Sequence, residues 1–232
     1  MSRAPSGIPH APPVTTGLLL GRIAAFLFLV FLNSPAVTAE LTASPADTIG
    51  RLHLWQLVTA LWVLPVNGGG LVQLFFELLL IYWIGGELEP RWGRRGFLIL
   101  FFGAGIIGNL TTCSFGWMFF DRNAATQGAV FATTALLVAW GIVHRGEQRL
   151  MFGRLPVRPE IVAGLFVGIP LLADLLGGRY ADLLGELVAI GTAFVLVRGY
   201  LDPHVYVGRA IRKRYRVLEG GKKPRKDPPL WN

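Results

Sequence analysis

Residues 70–96 read GLVQLFFELLLIYWIGGELEPRWGRRG. An apolar run from Leu71 to Ile84 carries only Gln73 and Glu77 as polar interruptions. The Gly85-Gly86 pair breaks that run, and a compact charged turn follows with Glu87, Glu89, Arg91, Arg94 and Arg95. A second apolar run starts at once and extends from Phe97 to Ile107. This order predicts a membrane hairpin, two helices joined by a polar corner that stays at one water interface. The rest of the chain is placed around it.

Composition supports the membrane reading. Of the 232 residues, 53% are hydrophobic and 16% charged, where soluble domains carry about 25% charged residues. Mean hydropathy is +0.51. The formal net charge of +8 is concentrated in the tail, where Arg209, Arg212, Lys213, Arg214, Arg216, Lys222, Lys223, Arg225 and Lys226 crowd together. The single Cys113 allows no internal disulfide, and four histidines do not suggest a histidine-rich metal site. The composition calls for no metal or other cofactor.

Residues 1–16, rich in Pro and small polar residues, read as a flexible tail. Residues 17–200 read as one membrane domain and 201–232 as a basic cytoplasmic tail. Six runs are expected to be transmembrane helices: Gly17–Leu32, Leu71–Ile84, Phe97–Thr112, Ala129–Val143, Ile161–Leu176 and Leu183–Val197. Several are shorter than the ~20 residues of a usual span, which suits a compact bundle. Gly103, Gly105, Gly108, Gly185 and Ala189 supply small contact points for close helix approach. In the first loop, Leu52 to Pro65 is apolar with polar punctuation and two tryptophans, and reads as an interfacial segment.

Basic residues follow the second run (Arg91, Arg94, Arg95), the fourth (Arg145, Arg149, Arg154, Arg158) and the sixth. The positive-inside rule then puts both termini in the cytoplasm. Two readings of the first run stay open. It is a span whose Arg22 snorkels toward the interface, or a signal segment cleaved near Pro35-Ala36-Val37-Thr38-Ala39.

The corner Gly85-Gly86-Glu87-Leu88-Glu89-Pro90-Arg91-Trp92-Gly93 resembles the Gly-Gly-x-x-Glu-x-x-x-Gly turn of the rhomboid superfamily of intramembrane serine proteases. Its Glu-Pro-x-Trp-Gly form is similar to that of a Golgi branch lacking protease activity. Ala125-Thr126-Gln127-Gly128-Ala129-Val130-Phe131-Ala132 is similar to the family's Gly-x-Ser-Gly-x-x-(Tyr/Phe) start of helix four. Ala181-Asp182-Leu183-Leu184-Gly185, followed by Ala189, is similar to the helix-six pattern Ala-His-x-x-Gly-x-x-x-(Gly/Ala). The resemblance covers residues 17–200 or so. It implies an all-α, six-transmembrane-helix rhomboid-like bundle with an interfacial first loop, in which Glu89, Arg91, Gly93, Gly128 and Gly185 are structural.

The departures fall on the chemistry. The resemblance implies a serine nucleophile where this chain has Gln127, and a histidine base where it has Asp182. A carboxamide is too poor a nucleophile for the serine route. The oxyanion-stabilising His and Asn of helix two correspond to Gln73 and Glu77, and an ionised Glu77 would repel a developing oxyanion. The Trp-Arg pair of the first loop appears as Trp55-Gln56. Thr126, if helical, points about 100° away from Gln127. The expectation is therefore an inactive rhomboid-like pseudoprotease.

Glu77, Asp174, Asp182 and Glu186 are ionisable groups in or beside apolar runs, costly unless paired or functional. Asp174 and Asp182 are expected at the outer interface, satisfied by solvent. Glu77 is expected to be protonated and hydrogen-bonded, or paired with Gln73 one turn away. If the rhomboid packing holds, Gln73, Glu77, Gln127, Phe131 and Asp182 line one pocket, either a structural network or a recognition site for a client transmembrane helix. The implied work is binding transmembrane segments of client proteins and affecting their stability or trafficking. The alternatives are an active intramembrane protease with replacement residues, or a small transporter or channel using Glu77 and Glu186.

The expected partners are the lipid bilayer, anionic lipids at the basic tail, and client membrane proteins, with no nucleic acid. No oligomeric state is specified. The expected location is a prokaryotic inner membrane. The Asn109-Leu110-Thr111 sequon lies inside an expected span and reads as chance.

Overall fold

A computed structural model describes residues 11–147, 149–151 and 155–201. The expectations for residues 1–10, Arg154 and the basic tail from residue 202 onward lie outside the described residues.

The first helix, α1 (Pro13–Leu32), takes in the last four residues of the expected tail. Its buried residues are Thr15, Leu18, Arg22, Phe26 and Leu29, a stripe at helical spacing that faces the bundle. Leu20, Leu27, Phe28 and Phe31 point outward and are exposed. Asn33 ends the helix in a left-handed conformation, its N–H donating to the Leu29 carbonyl. A short helix α2 (Pro35–Leu41) follows. Then come a single wide turn at Ala46–Gly50 and a one-turn helix α3 (Gln56–Thr59). This loop is anchored inward: Leu57, Ala60, Leu61, Val63 and Leu64 are buried, and Asn109 Nδ2 donates to the Leu57 carbonyl at 3.0 Å. The sequon asparagine is thus an interior strut.

Helix α4 (Gly68–Phe119) is the longest element, and it bends back on itself at one residue. Gly93 adopts φ 72, ψ 172, which ends residues 68–92 and starts residues 94–119. The break expected at Gly85-Gly86 does not occur there; the helix continues through both glycines and through Pro90. Gly85 serves another purpose. A Cβ there would lie 2.6 Å from Thr15 Oγ1, so its absence lets α1 lie close against α4. Gly70, Leu74, Glu77, Ile81, Ile84, Gly85, Leu88 and Glu89 are the buried residues of 68–92, with Glu77 and Glu89 the charged ones among them.

Helix α5 (Val130–Val143) lies at the centre, buried on nearly every side from Phe131 to Gly141. Its 14 residues make a rod of about 21 Å, shorter than a ~30 Å hydrocarbon core. Its neighbours α4, α6 and α7 shelter it. Trp140, fully buried, packs on Trp83 and donates from Nε1 to Glu87 Oε2 at 2.8 Å. Strands β1 (Arg149–Met151) and β2 (Leu155–Val157) pair antiparallel and lead into α6 (Pro159–Leu176) and α7 (Tyr180–Leu196). At Gly185 a Cβ would come 3.0 Å from the Gly108 carbonyl and 3.0 Å from Phe131, so α7 meets α4 and α5 through small residues. Gly103, expected to help, makes no such close approach.

Among the described residues, Pro13–Leu32, Gly68–Phe119, Pro159–Leu176 and Tyr180–Gly199 are long and apolar enough to cross a membrane. The chain is a multi-span helical bundle of membrane type, all-α apart from the two-stranded ribbon.

Glu89 ties the first helix to the corner of α4. Its carboxylate accepts from Val14 N at 3.0 Å, Thr15 N at 2.7 Å and Thr15 Oγ1 at 2.9 Å. These are unsatisfied donors at the start of α1, capped by a residue 75 positions away. Glu89→Ala leaves them without an acceptor and is expected to destabilise the fold by about 2 kcal/mol or more. Thr15→Val, which removes one bond, should cost about 1 kcal/mol. Exposure of the buried Cys113 thiol during denaturation in detergent measures both.

Candidate functional site

The segment between α4 and α5 is not helical. Thr126 N donates to the Ala43 carbonyl at 2.8 Å, making an isolated strand-like bridge, and Gly128 N donates to the Ala60 carbonyl at 2.9 Å. Gly128 has φ 88, and a Cβ there would fall 2.5 Å from Gln73 Nε2. Only glycine fits both constraints. Ala129 N donates to Glu77 Oε1 at 3.2 Å, and α5 begins at the next residue. Because residues 126 and 127 precede the helix, the 100° divergence expected of them does not apply.

Glu77 is 4% exposed and Arg22 1%. Their side chains form an ion pair inside the bundle, and Arg22 also donates to the Leu61 carbonyl. Gln73 Nε2 donates to Glu77 Oε1 at 3.0 Å. The expected Gln73 contact is therefore present, but the expected snorkelling of Arg22 is not. Arg22 points inward because Glu77 offers a countercharge there, which an interface would not need to supply.

A cavity of about 560 Å³ opens between residues 68–92 of α4, the 125–131 segment, α6 and α7. Gln73, Glu77, Gln127, Phe131 and Asp182 all line it, so the five residues expected to share a pocket do so. Their surroundings differ. Phe131 is 3% exposed and wedged against Gly108 and Gly185, a packing residue with one edge on the cavity. Gln127 turns away toward the first loop, donating from Nε2 to Thr42 Oγ1 at 3.1 Å. It also lines a second cavity of about 640 Å³ beside α2 and residues 44–47. Thr126 Oγ1 donates to Asp182 Oδ1 at 3.3 Å.

Asp174 is not solvent-satisfied as expected. It is 4% exposed and ion-paired to Arg179, just beyond the end of α6. Glu186 is 1% exposed, and neither of its carboxyl oxygens has a hydrogen-bond partner among the described residues. Of the structural residues, Glu89 and Gly93 shape the corner, Gly128 the segment before α5, and Gly185 the α7 contact; Arg91 is exposed near the corner. Arg22, Thr42, Thr126 and Arg179 are the residues that sequence reasoning did not place in the site. One signal for the first was present: an arginine and a glutamate, each alone in an apolar run, call for one another.

Chemically, several donors of the site are already engaged. The backbone N–H groups of Thr126, Gly128 and Ala129 already serve Ala43, Ala60 and Glu77, and the Gln127 amide serves Thr42. Hydrolytic acyl transfer needs donors aimed at the oxygen where charge develops.

The rhomboid domain family profile matches residues 51–200. A rhomboid protease GlpG homolog from Cronobacter sakazakii (strain ATCC BAA-894) is 25% identical over 187 residues, which cover 73% of this chain and 66% of that protein. The chain thus spans just under two thirds of that relative's length.

The buried pair is open to a direct measurement. Arg22→Leu or Glu77→Leu alone strands a charge and should each cost about 3–5 kcal/mol. The double variant should cost clearly less than the sum, with a coupling of at least about 1 kcal/mol. Denaturation of the four proteins in one detergent closes the cycle; strict additivity would mean that the two side chains do not pair.

Proposed function

Because the chain belongs to the rhomboid family, we propose that it is a six-span, catalytically inactive member that holds transmembrane segments of client proteins and affects their stability or trafficking. The six spans are α1, the two parts of α4 on either side of Gly93, α5, α6 and α7, with both termini on the cytoplasmic side of a bacterial inner membrane. Alternating basic connections support that orientation.

One observation carries the inactivity: the backbone N–H groups flanking residue 127, those of Thr126, Gly128 and Ala129, and the Gln127 side-chain amide are bonded to structural acceptors. An amide stands at the nucleophile position and a carboxylate at the base position, and Glu77, paired with Arg22, stands where the resemblance implies an oxyanion donor. The client role rests on the cavity. It holds a few polar groups within a mainly apolar lining, and half-exposed Phe76 and Phe166 stand at its lining on two helices, α4 and α6, that pack mainly on other partners. An apolar segment carrying a few polar groups suits such a space.

A second reading has one contact in its favour. Thr126 and Asp182 are a hydroxyl and a carboxylate in hydrogen-bond reach, so an altered protease would use them as nucleophile and base. Proteoliposomes carrying a fluorogenic transmembrane substrate separate the two. The inactive reading expects no cleavage above protein-free vesicles, and no difference with Thr126→Ala. Turnover abolished by Thr126→Ala or Asp182→Asn would establish the protease instead. For the client role, a photo-crosslinking residue at Phe76 should capture transmembrane segments of other proteins more than one at Phe31, which is 84% exposed on the outer face of α1. Equal capture at the two positions would sink it.

A further inference from the structure

The polar groups of the cavity are not equally provided for. Glu77 is offset by Arg22 and Asp174 by Arg179. Asp182 has a hydroxyl donor, Thr126, but no ion pair among the described residues. Glu186 has neither. It lies one helical turn beyond Asp182 on α7, so both side chains face the same way, and both line the cavity. Glu186 is more than nine-tenths buried, so water does not reach it freely. A carboxyl group buried with no partner is a defect in an empty fold and a docking point in an occupied one.

We propose that Glu186, with Asp182 beside it, receives a basic side chain carried within the apolar segment of a client transmembrane helix. This rests on the client-binding reading and names the class of client: segments with a Lys or Arg inside the span. The occupant has to bring donors and positive charge, because this side of the cavity holds three carboxyl groups, Asp174, Asp182 and Glu186, against one arginine, Arg179, whose ion pair is with Asp174. A metal ion is the weaker fit, since no group of three His, Cys, Asp or Glu side chains among the described residues is arranged to hold one. The depth is also specified. Glu186 lies six residues beyond Tyr180, about 9 Å along α7 from its start. A lysine inside a hydrocarbon layer is costly to its own helix. Contact with Glu186 relieves both partners at once, so selectivity for such helices follows from two unsatisfied groups meeting.

The test uses the full-length protein in lipid nanodiscs and three fluorescent peptides of a Leu-Ala transmembrane host. One has Lys six residues from an end of the apolar segment, one has Leu there, and one has the Lys moved outside the apolar segment. Kd is read by fluorescence anisotropy. The internal-Lys peptide is expected to bind at least tenfold tighter than the other two, and Glu186→Gln is expected to bring that ratio within twofold. A fourth peptide, with Glu at the internal position, should bind more weakly than the Leu peptide to the wild type, which keeps the comparison decisive if the variant fails to fold. Equal binding of all peptides overturns basic-residue selection and leaves client binding standing. An equal gain from the external Lys also overturns it, as general charge attraction. Binding of none of the peptides overturns client binding and this inference together.

Discussion

Glu77 can remain inside the bundle only because Arg22 is there with it. Burying either charge alone is prohibitive, and the pair is tolerable only with good geometry and further hydrogen bonds. Here the further bonds are supplied: Arg22 reaches the Leu61 carbonyl, and Glu77 accepts from Gln73 and from Ala129 N. The last of these fixes where α5 begins. From it follow the glycine at 128, the bridge from Thr126 to Ala43, and the directions of the Thr126 and Gln127 side chains. The first helix thus shapes the segment where the family's nucleophile would stand, more than a hundred residues later in the chain.

That dependence bears on the proposed inactivity. A catalyst gains rate from interactions that strengthen as charge develops, not from those already complete beforehand. Around residue 127 the N–H groups of Thr126, Gly128 and Ala129 and the Gln127 amide are bonded to acceptors of the protein itself. They stabilise the resting fold, and using them for catalysis would mean breaking them. On the α7 side of the cavity the opposite holds, since Glu186 is buried without a hydrogen-bond partner among the described residues. The proposed binding role draws on that unfinished side and leaves the finished one as its frame.

The apolar runs made most of the bundle legible. Their ends were less so, because a break needs a backbone conformation and not only a glycine. Gly85-Gly86 looked like the stop, yet Gly93 carries the positive φ while Gly85 admits α1. Gln73, Glu77, Gln127, Phe131 and Asp182 were legible as lining residues through the family resemblance, but their partners were not. Asp174 and Arg179 are five positions apart; Asp182 and Thr126, and Glu77 and Arg22, are separated by more than fifty. Local spacing encodes only the first kind of pair. For the others the sequence shows an ionisable residue in an apolar run, and only packing decides whether it finds a hydroxyl, a guanidinium or nothing. Phe131 shows the same limit: its place on the cavity was expected, but its packing against Gly108 and Gly185 was not.

The open choice between a first span and a cleaved signal turns on the same bonds. Cleavage in residues 35–39 would cut within α2 and release α1 from the chain. Glu77 would lose Arg22 and stay buried as an unpaired charge, a loss of about 3–5 kcal/mol from a total that is commonly 5–15 kcal/mol. Glu89 would lose the helix start it caps, and Gly85 would face a gap where Thr15 had been. A signal segment has no need of a buried arginine matched to a glutamate in the next helix, nor of a terminus capped by a residue at the far corner. A span that belongs to the bundle needs both, because its polar groups must be satisfied by protein once water is gone.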